Sequence, residues 1–321
     1  MGTPEFAVPS LQALIETQEV VGVVTQPDRP AGRGRRLQPS PVKVAAEAAS
    51  IPIYQPKSLR KEETAVPLQT WRPDIIIVAA FGQILRPHVL NLPPCGCLNV
   101  HASLLPRWRG AAPIHYALLS GDSETGVTLM QMNEGLDTGA MYVQKAIPIH
   151  THDTAVSLHD RLADLGGVML RTHLDDIING RIHPTPQNDS LSTYAPMLKK
   201  EEGQLDWSKT AVALDRHIRA MTPWPGAFTT WQGQQLKIIK AQAADGRLPA
   251  GKPGQIVQRE TADAPQTIAL TGDGGLVLQT VQLAGKTAVD IAAFVNGRPD
   301  FIGSILGKWA SEQVFTCNLQ H

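Results

Sequence analysis

The chain has 321 residues, 42% of them hydrophobic and 18% charged, with 27 glycines and 25 prolines scattered along it. That is about twice a single-domain length of roughly 150 residues and apolar enough for a sizeable core, which excludes a disordered tail and a small disulfide scaffold and leaves one large or two ordinary domains. The 29 basic residues balance the 29 acidic ones, so a nucleic acid or membrane partner would have to be met by a local patch rather than a global field.

The opening, Gly2-Thr3-Pro4-Glu5-Phe6, reads as the turn after a first β-strand, leading into a helix from Pro9 to Ile15. A strand is therefore expected upstream of Gly2, since a sheet without it would leave its neighbours with unpaired backbone groups. Val20 to Thr25 is a short strand, and Ser40-Pro41 opens a helix as cap and first-turn proline. Asp74 to Gly82 is the clearest strand, a continuous apolar run closed by glycine, as in a parallel sheet covered on both faces. Its longest apolar part, Ile75 to Phe81, is far short of the ~20 residues that cross a bilayer.

Cys97 to His101 and Val127 to Met132 are further strands, with a helix from Ala111 to Ser120 between them, closed by Gly121. After Asp153-Thr154 a helical stripe runs through Leu158, Leu162 and Leu165, meets Gly166-Gly167 and resumes at Met169, predicting two consecutive helices. This alternation predicts an α/β domain over residues 1–180, Rossmann-like with a parallel sheet. Residues 181–198 hold three prolines and no periodic stripe, the composition of a linker. Beyond it, 199–311 reads as one helix from Ser208 to Met221 followed by short strands near 229, 236, 256, 268 and 276, predicting a small β-barrel. Three cysteines are an odd number, Cys95 and Cys97 stand too close for an ordinary disulfide, and no signal-peptide layout opens the chain; the expected compartment is the cytoplasm.

Asn99-Val100-His101 lies at the carboxyl end of a strand, where open α/β sheets bind ligands. Alternation puts Asn99 and His101 on one face, so an amide donor and an imidazole converge on one reacting atom. The alternative is a satisfied Asn and His at a strand end. A second strand, Gly126 to Met132, runs into a glycine-flanked loop, Gly135-Leu136-Asp137-Thr138-Gly139, with Asp137 as the candidate carboxylate. Beside a histidine a carboxylate fixes the ring and favours its charged form, completing a set for acid–base acyl transfer; in such a loop it also serves as a turn device.

The run Asn99-Val-His101-Ala-Ser103-Leu-Leu-Pro106-Arg-Trp-Arg109-Gly110-Ala-Ala-Pro113, together with Gly126 through Gly139, resembles the signature of the folate-dependent formyltransferases. Further matches at Gly2 to Phe6, Thr25 to Gly34, Ser40 to Lys43 and Pro223 to Gly226 are similar to the tRNA-directed members and extend the resemblance over most of the chain. It implies transfer of a formyl group from 10-formyltetrahydrofolate to the α-amine of methionine on initiator tRNA, for translation initiation. By the same resemblance Asn99 stabilises the oxyanion, and His101, charge-balanced by Asp137, handles the protons. No metal is required. Ser103, Leu104, Leu105 and Pro106 would hold the folate, with Phe81, Gly82, Ile84 and Leu85 as apolar wall and backbone contacts. The second domain is expected to be an OB-like tRNA-binding barrel. The alternatives are a relative acting on a sugar nucleotide or glycinamide ribotide, and an inactive nucleic-acid-binding relative.

Arg29, Arg33, Arg35 and Arg36 form the densest positive cluster in the chain, in a glycine-containing loop between a strand and a helix. Such a run is either a solvated face or a phosphate clasp; the resemblance assigns it to the acceptor stem. Lys199 and Lys200 are further candidate phosphate contacts, with Arg216, Arg219, Lys237 and Lys240 behind them. A monomer is expected. Cys95-x-Cys97 with His101 lacks zinc-site spacing and a fourth ligand, and Gly32-Arg33-Gly34 lacks the third glycine of a dinucleotide fingerprint.

Overall fold

The computed structural model describes residues 1–31, 36–262 and 264–307. The chain divides into two compact units: Met1–Ile114, Ser123–Ile149 and Ser157–Pro196 form the first, and His115–Asp122, His150–Val156 and Met197–His321 the second. Among the described residues no helix is long and apolar enough to cross a membrane.

The first part of the chain holds α1 (Val8–Thr17), β1 (Val23–Val24), a short hairpin of β2 (Arg29–Ala31) and β3 (Arg36–Gln38), α2 (Pro41–Ala48), β4 (Ile53–Tyr54), α3 (Val66–Trp71) and β5 (Ile76–Val78). It continues through α4 (Pro87–Leu90), β6 (Cys97–His101), β7 (Arg109–Gly110), α5 (Pro113–Ser120), β8 (Glu124–Gln131), β9 (Met141–Pro148), α6 (Ala155–Ile178) and β10 (Tyr194–Ala195). Ser40 caps α2 as its sequence predicts, its hydroxyl accepting from the Lys43 amide at 3.1 Å.

β1 pairs in parallel with β4, and β5 with β6 in the register Ile76↔Cys97 and Val78↔Asn99. Met1 and Gly2 are extended between β1 and β5: the Gly2 amide donates to the Val24 carbonyl at 3.0 Å and the Ala79 amide to the Met1 carbonyl at 2.9 Å. The parallel sheet expected from the alternation is parallel only this far. β8 joins β6 antiparallel, His101 opposite Thr128, and β9 continues antiparallel on β8. An antiparallel edge on a mainly parallel sheet needs no crossover helix between its last strands. As a result, the loop after β8 leaves beside Cys97, where the Met132 amide bonds the Cys97 carbonyl at 2.8 Å, rather than beside His101.

A second difference concerns Gly166 and Gly167, expected to break the helical stripe. α6 runs through them for 24 residues. A Cβ at Gly166 would stand 2.7 Å from Val100 Cγ1, and one at Gly167 2.8 Å from the Pro9 carbonyl. The glycines therefore let the helix lie directly against the sheet and the start of α1. Leu98 and Val100 are buried on the opposite face of β6 from Asn99 and His101. Residues 181–196, whose composition suggests a linker, are hydrogen-bonded onto the first unit: Thr185 and Met141 exchange backbone bonds at 2.8 Å, and β10 pairs in parallel with β7.

The second unit contains α7 (Ala211–Met221), capped by Thr210, then β11 (Phe228–Trp231), β12 (Gln234–Ala243), β13 (Ile256–Arg259), β14 (Gln266–Leu270), β15 (Gly275–Leu283), β16 (Val289–Asp290) and α8 (Ile291–Asn296). The strands form one antiparallel sheet in the order β11-β12-β15-β14-β13, with β16 on β15. Among the described residues β11 and β13 do not pair directly with each other, so of the small β-barrel expected these strands form an antiparallel half-barrel. Residues 303–307 run between its edges, Leu306 donating to the Gly254 carbonyl and Gly307 to the Thr230 carbonyl. Trp231, Phe294 and Phe301 pack edge to face at 5.1–5.6 Å between ring centres and fill the core.

Candidate active site

Asn99 and His101 project from the same face of β6, as their spacing requires, and the loop 132–140 folds back to meet them. The Asn99 amide donates to Asp137 Oδ1 at 3.4 Å, and His101 Nδ1 lies 3.7 Å from Asp137 Oδ2. The Gly110 amide on β7 donates to the same Oδ2 at 2.9 Å. One carboxylate thus ties together two strands and a loop.

His101 is buried, and its Nε2 meets the Trp108 carbonyl at 3.0 Å. A carbonyl only accepts, so Nε2 carries the hydrogen and, in the neutral ring, Nδ1 presents a lone pair beside the Asp137 carboxylate. The proton-accepting atom and its charge partner are therefore on the same side of the ring.

Asp137 has a φ of 52°, a left-handed conformation that costs a non-glycine residue of order 1–3 kcal/mol. Local turn bonds assist it: Asn133 Oδ1 accepts from the Gly135 amide and the Thr138 hydroxyl at 3.0 and 2.9 Å.

The loop Ser103 to Pro106 is held from below by the buried Thr128, whose hydroxyl donates to the Ser103 carbonyl at 2.6 Å and accepts from the Leu105 amide at 3.2 Å. Gln144 donates to the Leu105 carbonyl at 2.7 Å. Ser103 is fully buried and spends its hydroxyl on the Arg107 carbonyl at 2.6 Å, while Leu104 and Pro106 are part-exposed and Leu105 is buried. Ser103 consequently shapes the loop from inside. Phe81 and Leu85 lie in the core with Val24, Leu59, Leu68 and Val78, leaving Gly82 and the 67% exposed Ile84 as the open part of that segment.

Cys97 shares a face of β6 with Asn99 and His101, but its thiol is buried against the Val89 and Leu90 carbonyls, and that burial pushes it up to about 12. In the hairpin, the base is pinned by Asp28, which accepts from Lys43 and Gln55 at 2.7 Å each. Arg29 is exposed and bonds Gln26. Arg33 and Arg35 lie outside the described residues, as does the side chain of Arg36. Lys199, Lys200 and Lys240 are exposed; Arg219 is instead engaged by Asp215 at 2.9 Å and the Asp153 carbonyl at 2.8 Å.

Sequence reasoning found the three converging side chains but missed what holds them: the Trp108 carbonyl, the Gly110 amide, Thr128 and Gln144. Trp108 and Gly110 stand within the signature motif, yet a backbone group's role has no side-chain signature.

The family model described as "Formyl transferase" matches residues 1–174, and that described as "Formyl transferase, C-terminal domain" matches residues 197–299. The methionyl-tRNA formyltransferase of Pelobacter propionicus is 48% identical over 314 residues, covering 98% of this chain and 97% of that protein. The protein of the same name from Marinobacter nauticus is 48% identical over 297 residues, covering 92% and 94%. Among solved structures, the N-formyltransferase of Helicobacter canadensis in complex with folinic acid and dTDP-3-aminofucose superposes with a TM-score of 0.62 at 20% identity, covering 87% of this chain and 97% of that one, a likeness of fold.

Proposed function

Because the chain belongs to the formyl transferase family, we propose that it transfers the formyl group of 10-formyltetrahydrofolate to the α-amine of methionyl initiator tRNA, with Asn99, His101 and Asp137 as its catalytic residues. The carrying observation is the convergence of an amide donor, an imidazole lone pair and a carboxylate at one end of β6, in a chain nearly half identical to proteins named for this reaction.

The amine attacks the formyl carbon, a C–N bond forms, and the carbonyl oxygen takes up negative charge. Asn99 uses its second amide hydrogen to stabilise that oxyanion. The amine proton passes to His101 Nδ1, and the Asp137 carboxylate balances the imidazolium. As the bond to the folate N10 breaks, the same proton is delivered to that nitrogen, restoring the neutral ring. Atoms and charge balance with no covalent enzyme intermediate.

The part-exposed Leu104 and Pro106, with Gly82 and Ile84, would bound the folate, and Ser103, Leu105, Phe81 and Leu85 would hold those contacts in place from the interior. The hairpin carrying Arg29 and Arg36, with Arg33 and Arg35 between them, would clasp acceptor-stem phosphates. The curled second unit, read as OB-like, would add contacts through Lys199 and Lys200.

The test is incubation with charged initiator tRNA and 10-formyltetrahydrofolate, scored by the discharge-resistant N-formylmethionyl product on an acid gel. Wild-type protein is expected to formylate it. Failure to do so, alongside turnover of an amino-sugar nucleotide, would overturn the reading.

A further inference from the structure

Gln187 lies in the stretch between the two matched family regions, in a segment with no periodic pattern. Its side chain uses its full bonding capacity. Nε2 donates to the carbonyls of Asp137 and Gly139, both at 2.8 Å, and Oε1 accepts from Arg109 Nε at 3.0 Å and Arg109 Nη2 at 2.8 Å. Both amide hydrogens and both oxygen lone pairs are committed. Arg109 is itself held from the same segment, by Asp189 Oδ1 at 2.7 Å and by its backbone amide on the Thr193 carbonyl at 2.9 Å. The adjacent residue, Gly110, supplies the amide that grips the Asp137 carboxylate.

We propose that Gln187 is a positioning residue for formyl transfer: it clamps the left-handed turn at Asp137 against Arg109, so that the carboxylate stays against His101 and the Gly110 amide. This rests on the functional reading above. The turn is intrinsically unfavourable, and this one amide donates to both the Asp137 and the Gly139 carbonyls. Without it the loop is free to relax toward ordinary backbone angles and withdraw the carboxylate.

Two substitutions separate the halves of the clamp. Gln187→Glu keeps an acceptor for Arg109 and removes both donors to the loop; Gln187→Ala removes everything. A misplacement of about 1 Å at a reacting centre can cost on the order of 100-fold in rate, so both variants are expected to lose about 10- to 100-fold in kcat, with KM for the folate and for charged tRNA within about twofold of wild type. In an Asp137→Asn background the further loss from Gln187→Ala is expected to vanish, because the clamp acts only through that carboxylate. Wild-type kcat in Gln187→Glu, or losses that simply multiply in the double variant, would overturn the proposal.

A second readout is independent of activity. Hydrogen exchange at the Gly110 amide, protected by Asp137 Oδ2, is expected to speed up in both variants, and unchanged protection would also overturn the clamp. Absence of formylation by wild-type protein would instead refute the functional reading while leaving this exchange experiment decisive for Gln187.

Discussion

The crevice at the end of β6 and the β2–β3 hairpin are both polar and both proposed to meet substrate, yet their described residues are held differently. In the crevice Asp137 accepts from Asn99 and Gly110, and His101 from its Nε2 side is fixed on a backbone carbonyl. Among the described residues of the hairpin, Asp28 at the base is pinned by Lys43 and Gln55, while Arg29, bonded to Gln26, and Leu37 are exposed. Stabilising a transient charge requires dipoles already aimed at it, because reorganisation would raise the barrier. Holding a phosphate backbone requires charge within reach and little fixed geometry. Geometry-dependent residues are therefore expected to act on kcat and charge-dependent ones on KM.

The largest expected effect is at Asn99: Asn99→Ala removes an oxyanion donor, and single-turnover formylation is expected to slow by roughly 100- to 1000-fold with folate binding retained. A variant at the wild-type rate would remove the crevice from the mechanism. At the hairpin, Arg29→Ala and Arg36→Ala are expected to raise KM for charged tRNA with kcat and folate KM unchanged, and to lower the salt slope of binding by about one for each phosphate no longer neutralised. An unchanged slope would return these arginines to the solvated surface.

Behind the crevice, Gly167→Ala gains about 1 kcal/mol of helix propensity but forces a methyl against the Pro9 carbonyl; overpacking of this kind costs ~1–3 kcal/mol. The net expectation is a loss of about 1 kcal/mol in urea unfolding, and a more stable variant would contradict the close helix approach.

The smallest effect concerns His217 in the second unit. Burial holds its imidazole below the usual histidine range, and among the described residues its Nε2 has no hydrogen-bond partner. The folded state keeps this ring neutral while the unfolded chain binds a proton near its ordinary value of about 6.5. Its contribution is thus fully present above that value and is lost as the pH falls through it. His217→Gln is expected to flatten the acid side of the stability curve, and an identical slope would mean the ring titrates normally.

Local patterning made much of this molecule legible. Ser40 as a helix cap, the period-two placement of Asn99 and His101, and the strands of the second unit all depend on neighbours within a few residues. Phe81 and Leu85 show the limit: the apolar run marked a strand and its end, but an apolar side chain there serves equally as ligand wall or core, and packing against Leu59 and Leu68 makes it core. The Gly166-Gly167 pair shows it again, since the same two residues break an isolated helix and admit a close neighbour to a packed one.

What this chain carries in its own order of residues is the amide, imidazole and carboxylate proposed to do its chemistry, and the motif around them that belongs to its family. The direction of β8, the folding back of the Asp137 loop, the hydrogen on His101 Nε2 and the grip of Gln187 arise from contacts between residues up to 78 positions apart. Such contacts leave no periodicity behind, because hydrogen bonds across a fold are selected by where the backbone brings two groups and not by the spacing between them along the chain.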